Sequence, residues 1–148
     1  MRSFLGVVPV HGLPFAKLMD RGRFLTGTVL HCTPEDDCAM CLSDNREMRD
    51  LRSGPFPPAM RFALGARNAA VSFADLSFFY KKYGKGLRAH LPNGVSFAVW
   101  DARRRLLVLG HTEGASCYAS SEEDGLWFSN EGDLLHRAVR VEMGLLFF

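Results

Sequence analysis

Residues 91–135, reading LPNGVSFAVWDARRRLLVLGHTEGASCYASSEEDGLWFSNEGDLL, limit most tightly how this chain can fold. Two apolar runs, 95–100 and 106–109, flank Asp101-Ala102-Arg103-Arg104-Arg105, a polar segment of hairpin length. A turn at Glu113-Gly114 leads to a third run, 115–120, and a turn over 122–125 leads to Leu126-Trp127-Phe128. The pattern then becomes helical over 131–137, with Asn130 placed to cap it. The stretch predicts an antiparallel meander that ends in a helix.

The rest of the chain supplies further short elements. Residues 4–10 form an apolar run closed by Pro9, consistent with a buried first strand. Strands are expected over 24–31 and 39–42, joined by the polar turn 33–37, and over 60–64. A charged helix is expected over 45–52, before the break at 53–58. Phe73, Leu76, Phe79, Tyr80 and Tyr83 recur at helical spacing, so 73–83 predicts a helix closed by Gly84 and Gly86. Residues 139–143 alternate like a half-buried strand, and the apolar tail 144–148 must be buried in the domain or held by a partner.

With 148 residues, 47% of them hydrophobic and 23% charged, the chain has the size and make-up of one globular domain. A net charge of +2, with basic residues scattered apart from Arg103 to Arg105, argues against a nucleic-acid partner. Neither a secretory pattern nor an apolar run of spanning length is present, so the expectation is a cytoplasmic protein with no membrane partner. Cys32, Cys38, Cys41 and Cys117 then read as reduced thiols. Cys32, Cys38 and Cys41 are also candidate metal ligands, although only the last two make a close pair.

Leu91, Gly94, Phe97, Ala98, Trp100, Asp101, Leu107, Leu109, Gly114, Phe128, Glu131 and Leu135 form a pattern that resembles the class II glutamine amidotransferase domain of the asparagine synthetase family. Phe79-Tyr80-Lys81-Lys82-Tyr83-Gly84 is similar to the helix that precedes the same meander in that family. The resemblance covers 72–135 and rests on core and turn positions, which report fold more than chemistry. It implies an α+β fold, the αββα four-layer sandwich of N-terminal-nucleophile proteins, trimmed and with antiparallel sheets.

Where the family carries its nucleophilic cysteine, whose α-amino group serves as base, this chain has Arg2, which can neither attack nor take up a proton. Ser3 would become a hydroxyl nucleophile only if the two residues before it were removed. The oxyanion-hole positions fall on Leu42 and Ser43, and a leucine side chain supplies no donor. The family's aspartate for the substrate amino group has no direct counterpart in Val71-Ser72-Phe73-Ala74, which leaves Asp75 as a substitute, with Asp44 and Glu131 as further binding candidates. His111, beside Glu113 and upstream of Cys117, is the remaining candidate for proton transfer.

Three functions follow as expectations. The first is a catalytically silent, glutaminase-like domain that needs no cofactor and binds or scaffolds a partner, either a separately encoded ATP-dependent amide-forming synthetase or another copy of itself. The second is an amidohydrolase or amidotransferase subunit that uses a processed Ser3. The third is a metal-binding regulatory module built on the cysteines.

Overall fold

The computed structural model describes residues 2–25, 29–33, 37–43, 60–66 and 71–148. The expected helix over 45–52, the break at 53–58 and the candidate Asp44 lie outside the described residues.

β5 (Val95–Asp101) and β6 (Leu106–His111) form the expected hairpin, and all of their residues are buried. β4 (Met60–Ala66) pairs with β5, and β10 (Met143–Phe147) pairs with β6, which completes an antiparallel sheet in the order β10-β6-β5-β4. Strands buried on both faces show continuous apolar runs rather than alternation, as 95–100 does. α1 and α2 are the two described α-helices. α2 (Phe73–Tyr83) packs Phe73, Leu76 and Tyr80 into the same core as Phe62 and Val99. The Tyr80 hydroxyl donates to Asp101 Oδ2 at 3.0 Å, which ties α2 to the end of β5. α2 ends at Gly84, whose φ is +56°, and a 3-10 helix, Gly84–His90, continues from it.

The second antiparallel sheet contains β1 (Phe4–Pro9), β2 (Val29–Cys32), β3 (Ala39–Leu42), β7 (Tyr118–Glu122), β8 (Gly125–Ser129) and β9 (Val139–Arg140), in the order β2-β3-β1-β8-β7-β9. Phe4, Val8, Met40, Leu42 and Phe128 share one core with the other sheet. Alternate residues Leu5, Val7, Ala39, Cys41 and Trp127 form a second core with Leu18 of α1 (Phe15–Gly22). The strand period of two thus assigns each side chain of β1 to one of two cores.

Four expectations need correction. The stretch 95–129 is not one meander, because β5–β6 and β7–β8 belong to different sheets. The chain crosses at Thr112, whose Oγ accepts from Val95 N and donates to Pro92 O, and at Gly114, whose φ is +88°. In place of a helix over 131–137 there is only a short 3-10 turn, Gly132–Leu134, because the Asn130 side chain is engaged elsewhere. The run 139–143 divides between β9 in one sheet and β10 in the other, so the apolar tail is strand-paired to β6. Finally, within the segment predicted as a strand over 24–31, Phe24 and Leu25 are not strand and Phe24 is exposed, whereas Val29–Cys32 is strand.

α1 had no counterpart in the sequence reading. Its eight residues bury only Leu18 and Gly22, too little for a helix of that length to persist alone. Tertiary contacts hold it instead: Arg21 makes two hydrogen bonds of 2.7 Å to the Glu122 carboxylate, and Lys17 Nζ lies 2.9 Å from Glu122 and 3.0 Å from Asp124. The Arg21 guanidinium also sits 4.4 Å from the Trp127 ring centroid.

Gly6 and Gly125 show why backbone must lie bare along β1. A Cβ on Gly6 would lie 2.2 Å from Phe128 Cζ, and Gly125 combines a φ of +152° with close approach to Val8 O. Gly6→Val is expected to cost about 1–3 kcal/mol of stability, read as a lower urea midpoint; an unchanged midpoint would show that Phe128 repacks freely.

Burial alone would raise the Glu122 carboxyl, but hydrogen bonds from Arg21 and Lys17 outweigh it and hold the group at about 2. A depressed folded value means that this contribution is complete above about 4.5, the group's ordinary value, and fades as pH falls toward about 2. Glu122→Gln should therefore flatten the loss of stability within that acid window. Parallel pH profiles for the two proteins would show that α1 is held by packing instead.

Candidate functional site

The N-terminal end of β1 forms one wall of a cavity of about 580 Å³. Ser3, Ser43, Glu131 and Asp133 give it a polar side, and Phe24, Leu25 and Leu134 an apolar one. Backbone pairing between β1 and β3 continues past the strand ends, since Ser43 N donates to Ser3 O at 3.0 Å. Ser3 N in turn donates to Ser43 Oγ at 2.7 Å.

The chain leaving β8 supplies another wall, through Glu131, Asp133 and Leu134. Ser129 Oγ donates to Phe4 O at 2.6 Å and accepts from Glu131 N at 2.8 Å, which fixes where the Glu131 backbone leaves the sheet. The Ser3 hydroxyl then donates to Glu131 Oε1 at 3.0 Å. Asn130 spans the gap: its Oδ1 accepts from Phe4 N at 2.9 Å and its Nδ2 donates to Arg2 O at 3.1 Å. Ser3, Glu131 and Ser43, far apart in sequence, therefore meet at one cavity. Ser43 was visible in the sequence only as an oxyanion-hole position, not as a partner of Ser3.

Chemically, the cavity offers a carboxylate, a serine hydroxyl that already donates to it, and a second carboxylate. Among the described lining residues there is no imidazole or amine to act as a base near neutral pH, which a serine nucleophile needs. Of the oxyanion-hole positions, the Leu42 side chain is buried in the core and Ser43 N is committed to Ser3 O. Arg2 is 8% exposed and points its guanidinium at Val71 O, 2.8 Å away.

The other candidates lie apart from this cavity. Asp75 is the third residue of an α2 capping box, with Ser72 N donating to Asp75 Oδ2 at 3.0 Å and Asp75 N to Ser72 Oγ at 3.1 Å, so its carboxylate serves the helix end. His111 faces Glu142 rather than Glu113. Its Nδ1 is 2.9 Å from Thr112 O, while Nε2 is 3.2 Å from Glu142 Oε2, near enough for ion pairing but without a hydrogen bond. The Cys117 thiol, pushed up to about 12 by burial against the smaller effect of backbone donors, is no nucleophile near neutral pH.

The cysteine candidates for metal do not converge. Cys38 belongs to the core between the sheets and Cys41 to the core under α1, on opposite faces of one sheet. Burial, with the neighbouring Cys32, pushes the Cys41 thiol up to about 11, and burial also raises Cys38 well above its ordinary value. Both therefore have the character of small apolar core side chains. Among the described residues, no group of three potential ligands could hold an ion.

Asn130→Ala removes both partners of the β1 end at once. It is expected to cost about 1–3 kcal/mol, because Phe4 N loses its acceptor in a partly buried setting. Urea unfolding would measure this, and a cost below about 0.5 kcal/mol would show that water replaces the amide. No described helix is long and apolar enough to cross a membrane. No family model matches the chain, and comparison with curated proteins gives no match either.

Proposed function

We propose that this chain is a trimmed αββα domain of the N-terminal-nucleophile type, similar to the glutaminase domain of the asparagine synthetase family, that has lost amide chemistry and acts as a binding or scaffolding module in the cytoplasm. Its partner on this reading is a separately encoded, ATP-dependent amide-forming synthetase. Two antiparallel sheets sharing a core, with α1 beneath one and α2 packed at β4 of the other, are consistent with that architecture.

The observation that carries the silent reading is the state of Arg2. At the position where the resemblance puts the nucleophile stands a buried guanidinium whose NH2 group donates to Val71 O. Such a group cannot attack a carbonyl, and the oxyanion positions beside it have no side-chain amide to contribute. Losses within a site that works as a unit leave little activity behind.

A second reading has one observation in its favour. Ser3 Oγ lies at the cavity, hydrogen-bonded to Glu131, where a processed N-terminal serine would need to be. Intact-mass measurement and an ammonia-release assay with glutamine separate the two. The silent reading expects Arg2 to be retained, no ammonia above the blank, and no gain from Arg2→Cys alone. Ammonia release by a protein that begins at Ser3, abolished in Ser3→Ala, would replace it with the amidohydrolase.

A further inference from the structure

α2 buries Phe73, Leu76 and Tyr80 but leaves Phe78 56% exposed. Phe78 meets Phe79 edge-on at 5.7 Å, Phe79 lies 6.2 Å from His90, and His90 stacks on Tyr83 at 3.5 Å with the rings only 9° from parallel. Lys82 Nζ sits over this row, 5.6 Å from the Phe78 centroid and 5.4 Å from that of Tyr83. The 3-10 helix that follows places Lys85 and Arg88 at a cavity of about 540 Å³ with Leu91 and Met143.

Cations outnumber carboxylates on this face, with Lys82, Lys85 and Arg88 against Glu113 and Glu142. Arg88 has Glu142 at 3.9 Å, but Lys82 and Lys85 have no carboxylate within ion-pair distance among the described residues. The C-terminal dipole of α2 accounts for a lysine in its last turn. It does not account for an exposed phenylalanine beside that lysine, nor for Lys85 beyond the helix end. An exposed phenylalanine beside half-buried aromatic rings and unpaired lysines is the make-up of an interface rather than of a solvated helix face.

We propose that this face docks an acidic peptide segment carrying an apolar side chain, supplied by the partner protein; the proposal rests on the reading of the chain as a partner-binding module. Carboxylates of the segment would meet Lys82, Lys85 and Arg88, and its apolar side chain would cover Phe78. Single-stranded nucleic acid fits less well, because Tyr83 and His90 already spend ring faces on each other.

The test uses the whole chain and a labelled ten-residue peptide of Asp and Glu around a central Leu, followed by fluorescence anisotropy at low salt. Binding is expected, weakened at least about tenfold in Lys82→Glu/Lys85→Glu and by added salt. Phe78→Ser should weaken it about fivefold, and a peptide with Gly in place of Leu should show the same loss. No binding, equal binding by the variants, or tighter binding of a ten-nucleotide oligothymidylate would overturn the proposal. Peptide binding and ammonia release are independent measurements. A protein that fails both loses this docking face and still supports the silent-domain reading, whereas ammonia release from a chain beginning at Ser3 removes that reading whatever the peptide does.

Discussion

One side-chain amide holds the central strand of this protein in place. Asn130 accepts from Phe4 N and donates to Arg2 O, so the first strand is clamped by a residue that leaves the sheet more than a hundred positions later. The same amide lies where Gly65 of the other sheet has no side chain; a Cβ there would collide with Asn130 Nδ2. Because β1 sits between β3 and β8, its position sets the register of strands on both sides. A partly buried amide that satisfies two backbone groups is costly to disturb, since each would otherwise lose its partner.

The cavity is a consequence of that clamp. Once β1 is fixed beside β8, Ser3 must face the chain leaving β8, and Glu131 is the first side chain there able to accept from its hydroxyl. What results has polarity and shape, but among its described lining residues no imidazole or amine to take a proton near neutrality. Arg2, next in the chain to Ser3, is not among the described lining residues, and its guanidinium donates to Val71 O. The chemistry open to the cavity is set by which residues occupy these positions, and the pairing of β1 with β8 gathers them.

How much could be read in advance varied with the range of the interactions involved. α2 was legible to the residue, because its apolar face and terminal glycine are local signals, although the Asp75 of its capping box was read as a binding candidate instead. The β5–β6 hairpin was legible too, since two buried runs around a polar turn allow few other arrangements. α1 was not, because what stabilises it lies on Glu122, Asp124 and Trp127, a hundred residues away. The helix expected after Asn130 failed for a related reason: the capping signal was real, but tertiary structure used the same amide to hold β1.

By itself, the sequence determined what each segment can become: period-two and fully apolar runs make strands, and arginine at position 2 cannot perform nucleophilic chemistry in any fold. Only tertiary structure decided where the strands went. Both sheets are antiparallel and draw on the same kinds of apolar run, so no local pattern tells β6 and β7 that they belong to different sheets. That choice was made at Thr112, through bonds to Pro92 and Val95, and by the burial gained when Phe4, Met40 and Phe128 close over the core of the other sheet. The meeting of Ser3 with Ser43 and Glu131 follows from it, because contacts between distant residues depend on packing and leave no trace in the spacing of the chain.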